Sequence, residues 1–290
     1  MTNDFTPDPS NKTTLNPSPG TRDYDDAVRR HYDEVAQTHK DSPLSTMEDA
    51  IIRKKETDCI LGIIQEHTRE QETGKGELSI IDVGCGNGYT LSQIRACMPH
   101  LLCGIEFNES LRAIANERLD KFNIIAQYGD IRVMDTLPRK KFDILISQRV
   151  LINLLNPEDQ KKALGNLISI VRNGGLLIFI ESFSQGLDNL NEARKEFGLS
   201  SIPPAHHNLL LPEDFFSHPS LARWQGGGHR HNPHMLSTHY YVSRVFHEFA
   251  LNKAGVPFAR NSHFVNFFSQ SLPDGIGAYS PLQIHVFRKI

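Results

Sequence analysis

Several things are missing from this 290-residue chain, and each absence removes a class of protein. No apolar run approaches the ~20 residues that a membrane-spanning helix needs, and the polar N-terminus does not read as a signal peptide. Neither sign of charge dominates: 31 Lys and Arg against 34 Asp and Glu leave a net charge of −3, which argues against nucleic acid or an anionic membrane surface as partner. Cysteine is scarce, and Cys59, Cys85, Cys97 and Cys103 form no CxxC pair. A disulfide framework and a zinc site are therefore not expected. All four read as buried free thiols of a reducing cytosol, so a cytoplasmic location is the expectation.

What remains is ordinary globular composition, 39% hydrophobic and 22% charged, in a chain long enough for one large domain. Residues 1–20 hold four prolines among Asn, Thr, Ser and Asp, the composition of a disordered tail. Residues 21–76 read as a helical cap, with helices over Asp23–Ala36 and Thr46–Glu66. In the second, Met47, Ile51, Ile52, Cys59, Ile60 and Ile63 make an apolar face, and Glu48 and Asp49 in the first turn suit the helix dipole. His31, Tyr32 and Arg53 are candidates to close over a ligand, or are solvated helix faces. Gln71–Glu77 is a linker, and 77–290 reads as one α/β domain.

That domain opens on Ile80-Ile81-Asp82-Val83-Gly84-Cys85-Gly86-Asn87-Gly88-Tyr89-Thr90. Leu78 to Val83 has the unbroken β-branched character of a buried parallel strand. Three alternate glycines then turn the chain into a helix, the arrangement that leaves backbone N–H groups open to a nucleotide cofactor. The spacing departs from the dinucleotide pattern G-x-G-x-x-G, because Tyr89 stands where the third glycine belongs, and no Lys follows to make a phosphate loop.

Asp-Val-Gly-Cys-Gly-Asn-Gly closely resembles the first motif of class I S-adenosylmethionine-dependent methyltransferases. The resemblance implies a seven-stranded, mostly parallel Rossmann-like sheet and S-adenosylmethionine as cofactor. Asp82, Gly84, Cys85, Gly86 and Gly88 would lie along it. Glu106, at the end of the expected strand Leu101–Ile105, is 24 residues beyond Asp82, near the ~20 of a ribose-binding acid. The alternative for Glu106 is a cap for the helix Asn108–Leu119. Phe107 would lie against adenine. Gly129-Asp130-Ile131, after a strand over Asn123–Tyr128, matches the pair whose Asp recognises the adenine amino group; a plain turn aspartate is the alternative. Gln148 completes the implied cofactor contacts. A fourth strand is expected over Lys141–Ser147, a helix over Pro157–Val171 closed by Asn173-Gly174-Gly175, and a fifth strand over Leu176–Glu181.

The acceptor side reads less sharply. No acid follows the fourth strand as in metal-dependent catechol enzymes, and the motifs of DNA-methylating enzymes are absent. Arg149-Val150-Leu151-Ile152-Asn153-Leu154 is similar to a stretch in bacterial methyltransferases of surface-glycan and sugar-modifying pathways. The likeness continues at Leu44–Met47, Glu181–Leu187, Ile202–Pro204 with His207-Asn208, and Ser237–Arg244. It implies an O-methyltransferase acting on a sugar, glycan end or other small polar molecule. His206 and His207 are then candidate general bases, since neutral imidazole accepts a hydroxyl proton near neutral pH. Asn153, Tyr240 and Arg244 are candidate acceptor contacts. Arg149 and Arg244 either grip an anionic acceptor by a guanidinium fork or are buried arginines paired with Asp or Glu. Ten of the 14 histidines follow residue 200. The loop Gln225–His234, outside the family pattern, is open to metal binding, to substrate contact or to neither.

Residues 183–240 read as a lid inserted after the fifth strand, Ser237–Ala254 as a helix with Tyr241, Val245 and Phe249 on its apolar stripe, and Arg260–Phe268 and Leu282–Arg288 as the last two strands. Methylation of a peptide or natural-product nitrogen, and non-catalytic S-adenosylmethionine binding, are the competing functions.

Overall fold

A computed structural model describes residues 30, 33, 49–70, 77–226, 232–257 and 262–290. The expected tail, the linker 71–76 and most of the first helix lie outside them, as do His31, Tyr32, Leu44–Met47, His229 and His231. Arg30 and Asp33 are helical.

Helix α1 (Ala50–Glu70) starts where Asp49 caps it, Oδ1 accepting from the Ile51 and Ile52 amides at 3.2 Å, and ends one turn beyond the expected Glu66. The elements then alternate: β1 (Ser79–Val83), α2 (Tyr89–Cys97), β2 (Leu101–Glu106), α3 (Glu109–Leu119), β3 (Ala126–Tyr128), β4 (Phe142–Gln148), α4 (Pro157–Ser169) and β5 (Val171–Ser182). Two of these helices have a visible cause for their start. Asn108 accepts from Leu111 N at the start of α3, and Asn156 with Pro157 begins α4.

The sheet has seven strands in the order β3-β2-β1-β4-β5-β7-β6; β1 to β5 pair in parallel and β7 (Leu282–Lys289) runs antiparallel to β5. Strands buried on both faces need two apolar sides, and these do. Ile80, Ile144, Ile146, Ile178 and Ile180 pack under Ile52, Ile60, Ile63 and Ile64 of α1. Ile81, Leu145, Leu177 and Phe179 face Ala163, Leu164, Leu167 and Ile168 of α4.

Three expectations fail here. The helix before the fifth strand ends at Ser169, and Asn173-Gly174-Gly175 lies inside β5. Phe142 pairs with Val171 but Ile144 with Leu176, so three extra residues bulge there. A Cβ on Gly175 would sit 2.8 Å from Asp143 O, and Gly174 has φ 79°.

The stretch expected as a sixth strand is helix α8 (His263–Ser271), capped by Ser262 Oγ on Val265 N. Its Phe-Val-x-Phe-Phe composition suits a strand, but burial falls at i, i+4, on Val265 and Ser269, and the Phe264 and Phe268 rings meet at 4.7 Å. The remaining strand, β6 (Leu221–Arg223), comes from within the expected lid and pairs with the end of β7. Three residues are too few to show a period.

The rest of that region is α5 (Ser184–Glu196), α6 (Ser237–Tyr241), a π-helical turn Val242–Phe246, and α7 (His247–Ala254). Arg194 of α5 forks onto Glu248 of α7 at 2.7 and 2.8 Å and ties them together. Val245 is fully buried, whereas Tyr241 packs on Tyr279 and Phe249 on Phe197. The four thiols are free, but of them only Cys85 is buried and Cys97 is exposed. Among the described residues no helix is long and apolar enough to cross a membrane.

Candidate functional site

Parallel strands gather their carboxyl ends on one edge of the sheet, and the loops there carry the expected site. Gly84, Gly86 and Gly88 take φ of 68°, 55° and 73°, conformations side chains resist. The turn is sewn to β2, with Gly84 N and Cys85 N donating to Ile105 O at 2.8 and 2.9 Å. A Cβ on Gly84 would come within 2.3 Å of Val150.

Glu106 closes this arrangement. Its carboxylate is buried, with Oε2 accepting from Gly86 N and Oε1 from Asn108 N, both at 2.8 Å. Asn108, rather than Glu106, caps α3. Each oxygen has a further lone pair, which suits a ribose diol. Burial raises the Glu106 carboxyl above its ordinary range, although the Asn108 and Gly86 amides pull it down. Asp82 lies under the turn, fully buried, with neither oxygen hydrogen-bonded. Burial first, then the Glu106 charge, push it up to about 8. An orphaned buried carboxyl beneath a turn of side-chain-free glycines fits a ligand that approaches the backbone closely, as the aminoacyl end of the cofactor would.

The other implied cofactor residues stand as follows. Phe107 tilts against Tyr128 with centroids 6.1 Å apart. Asp130 is buried, and both its oxygens are taken by Arg132 at 2.7 to 3.2 Å. Gly129 has Ile105 so close that a Cβ would meet it at 2.4 Å, and Ile131 is in the core. Gln148 Nε2 donates to Thr90 Oγ1 at 2.8 Å, joining β4 to α2.

The acceptor-side residues come together through contacts distant in sequence. Arg149 follows β4 at φ 57° and places Nη1 2.6 Å from Oε1 of the buried Glu56 on α1. Glu181 accepts from the amides of Val150, Leu151 and Ile152 at 3.0 to 3.3 Å; burial lifts it to about 7 against those three bonds. Asn153 Nδ2 donates to Arg149 O, so its amide helps shape the turn. Arg244 donates to Asp49 Oδ2 at 3.2 Å and lies 4.2 Å over the Tyr240 ring. Behind them His239 bridges Asp49 Oδ2 (2.9 Å) and Ser269 Oγ (2.8 Å). Burial alone would raise Asp49, yet His239, Arg244 and the Ile52 amide hold it down at about 2.

Arg53 is buried, its guanidinium 4.6 Å from the Tyr89 ring centroid, so α1 reaches the glycine turn. Asp33 accepts from Asn108 and Ser110 at 2.9 Å, which brings Asp33 to the same edge. His206 and His207 pack on each other at 5.0 Å in a loop pinned by Leu209 N to Ile152 O. Among the described residues no cluster of His, Cys, Asp and Glu could hold a metal.

Glu56, Asp49, His239 and Glu181 are the residues that the sequence reading did not place in the site. Glu56 left one usable signal: with Arg53 it forms a polar pair at helical spacing on the core-facing side of α1.

Against known proteins, residues 80–175 match a family described as "Methyltransferase domain". A malonyl-[acyl-carrier protein] O-methyltransferase of Bacillus cereus is 28% identical over 152 residues, 51% of this chain; the chain spans about half the length of that relative, 53%. Among solved structures, the S-adenosylhomocysteine-bound magnesium protoporphyrin IX methyltransferase of Synechocystis overlaps 93% of this chain and 98% of its own at 15% identity, TM-score 0.49. An amino pentose methyltransferase of Micromonospora echinaspora overlaps 43% of this chain and 49% of its own at 21% identity, TM-score 0.37. Both structures are too distant to bear on acceptor or chemistry. The match to a methyltransferase domain covers residues 80–175, about a third of the chain, and the cofactor it brings with it is S-adenosylmethionine.

Proposed function

We propose that the whole chain is an S-adenosylmethionine-dependent methyltransferase of a small polar acceptor, with a hydroxyl of a sugar or sugar-linked metabolite as the methylated group. The observation that carries this is the closeness of the glycine turn to Val150 and to Arg53 of α1, which sets it beside the Arg149–Glu56 pair. S-adenosylmethionine supplies a methyl already activated by its sulfonium, so transfer to a hydroxyl makes one O–C bond, breaks one S–C bond, releases a proton and leaves S-adenosylhomocysteine.

The protein's tasks are then alignment and proton removal. Glu106, its carboxylate fixed by the Gly86 and Asn108 amides, holds the donor end. His207 is the proton acceptor in this reading, supported by its loop being bonded to the turn that carries Arg149. A panel of sugars and sugar-linked metabolites, assayed for S-adenosylhomocysteine and mapped by NMR of the product, tests the proposal. An O-methyl product is expected, with kcat at pH 7 falling roughly 100-fold or more in His207→Ala. Cofactor binding without product from any acceptor would favour a sensor, and an N-methyl product would displace the hydroxyl.

A further inference from the structure

Arg149 is one of two non-glycine residues at positive φ among those described, and it stands beside the cofactor turn. Such a backbone is strained and persists only where its surroundings impose it. They do so here. Arg149 N donates to Ile180 O at 2.7 Å, Asn153 holds its carbonyl, and Glu181 receives the next three amides. The guanidinium is thereby aimed across the strand ends at α1, where Glu56 takes Nη1. Nε and Nη2, one edge of the fork, have no hydrogen-bond partner among the described residues.

Facing this, Arg244 is fixed by Asp49 and by Ser243 Oγ at 2.6 Å, with its plane over Tyr240. Tyr240 Oη also has no hydrogen-bond partner among the described residues. Asp49 and Glu56, which hold the two arginines, stand seven residues or about two helical turns apart, so Arg244 and Arg149 are anchored along one face of α1. Both arginines are thus paired, as one sequence reading expected, but each pairing occupies only part of the fork.

We propose that the acceptor carries an anionic group, carboxylate or phosphate, which seats on the Nε–Nη2 edge of Arg149 with Tyr240 Oη and Arg244 completing its recognition. This rests on the methyltransferase reading and narrows its substrate class to an acidic or phosphorylated sugar-like molecule. A guanidinium edge presents two parallel N–H donors, the match for two oxygens of one anion. Glu56 fixes the plane of that edge before the acceptor arrives, so less conformational entropy is lost on binding.

The test is calorimetry on the full chain saturated with S-adenosylhomocysteine, titrated separately with glucuronate, glucose 6-phosphate and uncharged glucose. At least one of the two anionic sugars is expected to bind roughly 10-fold or more tightly than glucose, and which one does so distinguishes carboxylate from phosphate. In Arg149→Lys, which keeps the charge and loses the fork, the preference should fall several-fold. It should vanish in the double variant Arg149→Met, Glu56→Gln, which removes both charges of the pair together. S-adenosylhomocysteine affinity should stay within about 3-fold of wild type in both, showing that the proteins are folded. Absence of any anion preference in the wild type, including no binding of all three sugars, overturns the proposal, as does an unchanged preference in the double variant. Failure of the wild type to bind S-adenosylhomocysteine would instead strike the methyltransferase reading.

Discussion

The two sides of the site are built by different means. On the cofactor side the decisive contacts are short in sequence: Glu106 reaches Gly86, 20 residues away, and Asn108, two away. On the acceptor side they are long: Arg149 meets Glu56 across 93 residues, and His239 meets Asp49 across 190. A local arrangement is a matter of turn chemistry and one parallel strand pair, so it survives as a motif. A long-range arrangement depends on two helices docking in register, and the residues on either end carry no mark of the partner.

Asp49 is where this contrast breaks most sharply. It caps α1 and is hydrogen-bonded to His239 and Arg244 while almost wholly buried, so Asp49→Ala strands both side chains and a helix N-terminus. A loss of about 3–5 kcal/mol is expected, which lowers the melting temperature at pH 7 by on the order of 10 °C in scanning calorimetry. The sign with pH follows from the depressed carboxyl. With about 2 folded against an ordinary 3.8, Asp49 contributes roughly 2 kcal/mol above pH 4, and that contribution is lost as pH falls through 2. The gap between wild type and variant should therefore narrow in acid. A gap that is constant from pH 7 to pH 3 would count against the network.

Glu106→Ala should act on the other side alone. If this buried carboxylate holds the ribose as we propose, its loss weakens S-adenosylhomocysteine roughly 100-fold by calorimetry. Equal binding by wild type and variant would remove Glu106 from the cofactor site.

The smallest effect sharpens the comparison within the cofactor side. Asp82 is held protonated up to about 8, so the folded state keeps a proton that the unfolded chain releases near 4, and wild-type stability declines as pH rises between those values. Asp82→Asn should be close to neutral at pH 4 and gain on the wild type as pH rises toward 8 in the cofactor-free protein. Urea unfolding at both pH values checks it; a variant equally destabilised at both would mean that burial of Asp82 carries no such cost.

The strands and turns of the parallel half were legible because a buried parallel strand announces itself as an apolar run, and glycine announces positive φ. Leu78–Val83 and Gly84–Gly88 stand almost where the pattern put them. The antiparallel end was not. Leu221–Arg223 is strand by pairing with Phe287–Lys289 and by nothing in its own composition, while the Phe-rich stretch at His263–Ser271 is helix because Val265 and Ser269 are buried one turn apart. Gly174-Gly175 ended no helix, since a glycine pair serves a bulge as well as a cap.

The sequence by itself determined the parallel α/β frame, the cofactor turn and the acid opposite it, because each is written in neighbouring residues whose backbone preferences and spacing leave few solutions. Only the tertiary structure decided that Glu56 would hold Arg149, that Asp49 would gather His239 and Arg244, and that the expected lid would lend a strand to the sheet. Those outcomes belong to packing: a charged side chain turns inward only when a partner from a distant segment is delivered to it, and delivery is a property of the whole fold.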